Sequence, residues 1–94
     1  MGAQGKTTID FGASPGTDMA EIAITGQSGI LAASSLAEAW VFPEATADHS
    51  VDEHIVDGPA VYACSIVDGV GFSIRAISRL GTLHGLWTVG WVWN

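Results

Sequence analysis

The sequence predicts an all-β domain, built as an antiparallel β-sandwich of about six to eight short strands. Several segments alternate apolar and polar residues with the period of a strand, and clusters of Gly, Pro and Asp separate them. The pair Asp68 and Gly69 adds a strong hairpin signal. A chain of 94 residues has room for one core, so residues 1–94 are predicted to form a single domain.

The first two predicted strands lie in the N-terminal half. The segment "KTTIDFG" places Ile9 and Phe11 on one side, and "ASPGT" follows it as a turn. The segment "MAEIAIT" places Ile22 and Ile24 on one side and ends at the turn "GQSG". Each segment is therefore predicted to bury one face.

The next segment, "SSLAEAWVFP", fits two structures. Ser35 and Glu38 have the spacing of a capping box, which would begin a helix. Trp40 and Phe42 instead alternate with smaller residues, as they would on a strand. Because Pro43 ends either element, a helix here would be short, and a strand is predicted.

Three further strands are predicted in the C-terminal half. The first is "AVYACSIV", and the hairpin signal connects it to "GFSIRAIS", where Phe72, Ile74 and Ala76 share a face. The last is "LWTVGWVW", and its larger face consists of Trp87, Val89, Trp91 and Trp93. These strands are predicted to follow one another in a meander.

Charge and cysteine content exclude several classes of partner. The net charge is −7, and Lys6, Arg75 and Arg79 are the only permanent cations, so neither nucleic acid nor an anionic membrane surface is an expected partner. No apolar run reaches the length of a spanning helix, and the first residues lack the apolar core of a signal peptide. The single cysteine, Cys64, agrees with synthesis in a reducing cytoplasm.

The stretch "TADHSVDEH" concentrates side chains that could bind a ligand. Zinc usually needs four ligands with thiolates or well-spaced histidine pairs, and calcium would need oxygens from a wrapping loop. No EF-hand or HExxH pattern is present, so a solvated loop between strands is predicted, with no metal or cofactor. The candidate ligand residues of this loop are Asp48, His49, Asp52, Glu53 and His54.

Catalytic patterns are missing from the sequence. No serine lies in a GxSxG elbow, and the glycine-rich turns lack the lysine of a phosphate-binding loop. Cys64 lies within a predicted strand and His84 in a predicted turn, where each has an ordinary structural role. The chain is therefore not expected to be an enzyme.

The aromatic C-terminal strand predicts an interface. Its larger face carries three indoles, each of which buries on the order of 200 Å², and this is more than a small core is expected to absorb. Part of that face is expected to contact another subunit, with Arg75 and Arg79 forming salt bridges. Stacking of sugars on exposed indoles is the alternative. The predicted interface residues are Trp87, Trp91, Trp93, Leu86, Val92, Arg75 and Arg79.

Several runs carry a resemblance to a known class of protein. The segments "TIDFGASPG", "EAWVFP", "TADHSVDEH", "GFSI" and "WTVGWVWN" resemble small β-sandwich proteins found among the virion structural genes of tailed bacteriophages. The aromatic last strand is also similar in architecture to H-type lectin domains, which are trimeric sandwiches of six strands. No sugar-binding residue of those lectins matches a position in this sequence.

The resemblance implies a virion component that is assembled in the host cytoplasm. One role is that of a capsid decoration or cement protein, which would bind the major capsid protein of the assembled shell as an oligomer, expected to be a trimer. The alternative is a tail or fibre accessory domain that presents residues 44–54 to a glycan on the host surface. No coiled-coil heptad is present, which favours decoration.

Overall fold

The computed structural model describes residues 2–79 and 81–94. Strands and one helix make up its regular structure. In chain order the elements are β1 (Ala3–Asp10), β2 (Met19–Ile24), β3 (Ala37–Val41), α1 (Val51–Asp57), β4 (Ala60–Val67), β5 (Gly71–Ile77) and β6 (Leu86–Trp93).

The strands form two antiparallel sheets of three strands each, in the orders β1–β6–β3 and β2–β5–β4. This arrangement confirms the predicted all-β sandwich. The predicted meander is wrong in its last step, because β4 and β5 form the hairpin while β6 lies in the opposite sheet between β1 and β3. The chain crosses from one sheet to the other between β5 and β6, and a bridge from Thr17 to Leu83 anchors that crossing.

The core lies between the two sheets and contains the inward side chains of both. The inward faces of β2, β5 and β6 are those that the alternation predicts. Phe72 and Trp91 meet edge to face, with ring centroids 5.7 Å apart. The buried apolar residues are Ile9, Phe11, Ala20, Ile24, Ile30, Phe72, Ile74, Ala76, Trp87, Val89, Trp91 and Trp93.

Glycines beside β6 make room for the large rings. Gly5 is opposite Trp91 in the register of β1 and β6, and a Cβ at Gly5 would lie 2.7 Å from the indole. On the outward side of β6, a Cβ at Gly90 would lie 2.7 Å from the indole of Trp40. A side chain at either glycine would displace a tryptophan, so the close approach of an indole restricts each position to glycine.

The stretch predicted as a solvated loop contains a helix instead. Ser50 is the N-cap of α1, and Ser50 and Glu53 form a complete capping box. The same spacing at Ser35 and Glu38 does not begin a helix, since β3 follows it as predicted. A helix of seven residues is too short to be stable alone, so its contacts with the sandwich must hold it.

The core predicts a large effect for loss of an indole. Trp87 is 1% exposed, and Trp87→Ala should lower the free energy of unfolding by roughly 3–5 kcal/mol. Urea unfolding followed by far-UV circular dichroism measures it. The control Leu36→Ala, at a side chain 79% exposed, should change stability by less than about 0.5 kcal/mol. Equal stability of the two variants would contradict this core.

Candidate functional site

Residues 46–57 are bound to the sandwich by side-chain hydrogen bonds. Asp48 Oδ2 accepts the backbone N–H of Leu86 at 2.8 Å, at the beginning of β6. Thr46 Oγ1 donates to the carbonyl of the same residue at 2.8 Å. The segment is therefore fastened to the central strand of its sheet.

His54 completes the hydrogen bonding of β6. β3 pairs with β6 as far as Val41, and Phe42 still donates to the Thr88 carbonyl at 2.9 Å. The Thr88 N–H donates instead to His54 Nε2 at 2.9 Å, so the imidazole takes the place of a strand carbonyl. His54 Nδ1 must then carry the proton that it donates to the Ser50 carbonyl at 2.7 Å. The ring is fully buried and uses both nitrogens.

His49 is also buried, and both of its nitrogens face acceptors. Nδ1 lies 3.0 Å from Glu53 Oε2, and Nε2 lies 2.6 Å from the His84 carbonyl. His49 thus connects Glu53 of α1 to the residues that precede β6. The imidazole stacks on Trp87 with centroids 3.8 Å apart, which places the ring over the face of an indole.

Glu53 connects the helix cap to His49. Its Oε1 accepts the Ser50 N–H at 3.0 Å, and its Oε2 faces His49. These hydrogen bonds, first that of the Ser50 backbone and then that of the His49 side chain, hold the pKa of Glu53 below its ordinary value of 4.5. The charged carboxylate is therefore part of the folded state.

These contacts overturn the prediction that the stretch is a solvated loop between strands. His49 and His54 are buried, and their ring nitrogens are occupied by partners within the chain. Asp48 and Glu53 accept backbone N–H groups, and Asp52 lies exposed in the first turn of α1. Within residues 2–79 and 81–94, no three His, Cys, Asp or Glu side chains converge as metal ligands. The two histidines have structural roles.

A groove of about 530 Å³ lies beside this network, between α1 and the residues before β6. Arg79 crosses it and donates to the Gly58 carbonyl at 2.9 Å and to the Val56 carbonyl at 3.0 Å. These are carbonyls at the end of α1, so Arg79 stabilises the helix C-terminus. The intermolecular salt bridge predicted for Arg79 stays a prediction.

The reason given for an interface at the aromatic strand is wrong. Trp87, Trp91 and Trp93 are all buried within one chain, and Gly5 leaves the space that the indole of Trp91 occupies. Trp93 Nε1 also donates to Gln27 at 2.8 Å. Leu86 and Val92, on the other side of β6, are half-buried. The core of the sandwich thus absorbs all three indoles.

The outward side of the sheet β2–β5–β4 presents apolar side chains to solvent. Residues of neighbouring strands lie opposite one another in rows. One row pairs Met19 of β2 with Ile77 of β5. The next row runs from Glu21 of β2 through Arg75 of β5 to Tyr62 of β4. Arg75 Nη2 lies 3.4 Å from Glu21, while Arg75 Nε is buried without a hydrogen-bond partner in the described part of the chain. We call this surface the outer β5 face, defined by Met19, Glu21, Tyr62, Val67, Arg75 and Ile77.

The opposite sheet carries an exposed tryptophan. Trp40 of β3 lies over Gly90 of β6, and across β6 stands Lys6 of β1. A groove of about 340 Å³ runs beside the indole. We call it the Trp40 groove, lined by Gln4, Gly5, Lys6, Trp40, Phe42 and Gly90.

Sequence reasoning missed both surfaces. It concentrated on the strand with most aromatic residues, whereas Tyr62 and Trp40 are single aromatic residues on strands of small neighbours. Outward alternation was the available signal, because Tyr62 lies between inward Val61 and Ala63. Of the predicted interface residues, Arg75 lies on the outer β5 face.

Comparison with protein families, curated proteins and solved structures finds no match to this chain. Among the described residues, α1 is the only helix, and it is too short to cross a membrane. Inference about function therefore depends on the surfaces of the sandwich.

The role of His54 predicts a measurable loss of stability. His54→Ala leaves the Thr88 N–H buried without an acceptor, which costs about 1–3 kcal/mol, and it also opens a cavity. Urea unfolding measures the change, and hydrogen exchange should show faster exchange at Thr88 and in α1. The control His84→Ala removes an exposed ring and keeps the backbone carbonyl, so it should cost far less. If both variants unfold alike, His54 does not complete the strand.

The lowered pKa of Glu53 predicts that the stability of the protein depends on pH. Because folding lowers its pKa below 4.5, the charged carboxylate stabilises the protein above that pH, and this contribution is lost as pH falls through the lower folded value. Wild type should exceed Glu53→Gln in stability at pH 6, and the difference should shrink below pH 4.5. Urea unfolding across this range measures it. Asp52→Asn, the same charge change in the same turn, is the control. A difference that does not change with pH would contradict this role.

Proposed function

We propose that this chain is a non-enzymatic structural protein of a tailed bacteriophage virion, a decoration or cement protein that binds the assembled capsid shell. The outer β5 face is the observation that carries the proposal. Tyr62 is 58% exposed and Met19 is 49% exposed, although the chain buries much larger aromatic residues elsewhere. Apolar side chains left outside a well-filled core are available to a partner.

The composition of this face is that of a protein interface. Tyr, Met and Arg are enriched at interface centres, and Tyr62, Met19 and Arg75 occupy neighbouring rows here. The Arg75 side chain is 44% exposed beside Glu21, so its guanidinium can donate to a carboxylate or carbonyl on a partner. The face therefore offers both apolar area and a hydrogen bond to a protein partner.

The arrangement of the polar residues supports a role without catalysis. His54 Nε2 holds α1 to β6, and the other ring nitrogens of His49 and His54 contact Glu53, Ser50 and the His84 carbonyl. A general base needs a nitrogen that can reach a substrate, and these two rings are buried. The densest group of titratable side chains in the chain thus has a structural explanation.

Stabilisation of a shell follows from selective binding. A protein that binds only the assembled lattice stabilises it by mass action, by an amount set by concentration and affinity. An oligomer repeats the same contact around its symmetry axis, so modest contacts add together. The trimer and the major capsid protein as partner are parts of this proposal.

A second candidate is a tail or fibre accessory domain that contacts a glycan of the host. Its support is the exposed indole of Trp40, on the sheet opposite the outer β5 face. The segment 44–54 gives it little support, since His49 is buried and Asp48 is bound to β6.

Binding to shells assembled without this chain tests the proposal. Tyr62→Ala and Arg75→Ala should each weaken binding at least about tenfold, as truncation of an interface centre does. Cosedimentation with purified shells measures affinity, and thermal melting confirms that both variants fold. Trp40→Ala, on the opposite sheet, is the matched control and should bind like wild type. The proposal would be contradicted if Tyr62→Ala and Arg75→Ala both bind shells with wild-type affinity, or if the control Trp40→Ala loses binding.

A further inference from the structure

We propose that the Trp40 groove binds a neutral pyranose, with one sugar ring stacked on the indole of Trp40. This inference goes beyond shell binding, and it uses the outward face of the other sheet. The two activities are compatible, because a chain that docks through the outer β5 face leaves the Trp40 groove directed away from the shell.

The indole is held firmly against the strand beneath it. Nε1, Cε2 and Cζ2 of Trp40 lie 2.7–3.0 Å from the place that a Cβ on Gly90 would occupy, so only glycine permits this position. The ring nevertheless remains 41% exposed. A fixed aromatic surface binds with little loss of side-chain entropy, which favours a small ligand.

Polar groups stand around the indole at defined positions. Lys6 Nζ lies 2.9 and 3.1 Å from the two carboxylate oxygens of Glu44, and 5.0 Å from the ring centroid of Phe42. Gln4 is exposed, and its amide makes no side-chain hydrogen bond among the residues that the structure describes. The groove thus has an ammonium, paired with Glu44 at its edge, and a free amide on its lining.

This combination matches the chemistry of a sugar ring. The C–H groups on one face of a pyranose carry partial positive charge and meet the electron-rich face of an indole. Its hydroxyl groups both donate and accept, which suits the Lys6 ammonium, a donor, and the Gln4 amide, a donor and an acceptor. A volume of about 340 Å³ lies at the lower end of ligand sites, which suits one or two rings.

Charge and surface area argue against a nucleotide or a protein as the ligand of the Trp40 groove. A nucleotide would bring phosphates to a chain of net charge −7, at a site whose one ammonium is already paired with Glu44. A protein partner would need a wider apolar surface than a single indole edged by charged side chains. A neutral carbohydrate meets neither obstacle.

NMR titration of the full chain tests the site with named probes. The probes are glucose, galactose, N-acetylglucosamine, maltose, lactose and chitobiose. The chain has four indole N–H groups, and Trp40→Phe identifies the Trp40 signal by its loss. At least one probe should produce a saturable shift of that signal and of the Gln4 and Lys6 amides, with a Kd on the order of 1 mM.

Variants distinguish the Trp40 groove from sugar binding elsewhere on the chain. Trp40→Ala should abolish the shifts at Gln4 and Lys6, and Gln4→Ala should weaken binding several-fold without touching the indole. Tyr62→Ala, on the outer β5 face, should bind sugar like wild type even where it fails to bind shells. Absence of a saturable shift with all six probes overturns the proposal. So does unchanged binding by Trp40→Ala, or a Trp40 groove covered by protein in assembled particles.

Discussion

Burial of β6 on both sides is the constraint on which the rest of the structure depends. Its inward indoles fill the space between the sheets, and its outward side is covered by Trp40 at one end and by α1 at the other. Every backbone N–H of a strand buried in this way needs an acceptor. β3 pairs with β6 only as far as Val41 opposite Val89, so it supplies no acceptor for the N–H of Thr88. His54 supplies the missing acceptor, which explains why a histidine is buried in a helix of seven residues.

The same constraint determines which surfaces remain available to partners. Although the core takes the three C-terminal indoles, the sheet β2–β5–β4 leaves Met19, Tyr62 and Ile77 exposed, and the sheet that contains β6 leaves Trp40 exposed. The outer β5 face and the Trp40 groove therefore lie on opposite sides of the sandwich. Arg79, one of three permanent cations, donates to a carbonyl at the end of α1. The other two lie on the two surfaces, Arg75 on the outer β5 face and Lys6 in the Trp40 groove.

The local sequence pattern predicted the structural features that depend on residues close together in the chain. Alternation identified the inward faces of β2, β5 and β6 and the strand at β3, and the Asp68 and Gly69 turn identified the β4–β5 hairpin. It could not place β6 in the opposite sheet, because sheet order depends on pairing with β1 and β3. It missed α1 although Ser50 and Glu53 have the local spacing of a capping box, and the contact that holds the short helix through His54 joins residues 34 positions apart. It misjudged the indoles because the space that Gly5 leaves for Trp91 appears only after folding.

The central claim is that the chain keeps its aromatic strand inside and binds the shell through the outer β5 face. A cryo-EM map of particles that carry the chain tests this claim most directly. We expect density at regular positions on the head, with the sheet β2–β5–β4 against the shell and the indoles of β6 enclosed within each chain. Density confined to the tail or fibre, or contact with the shell through the sheet that contains β6, would contradict the account.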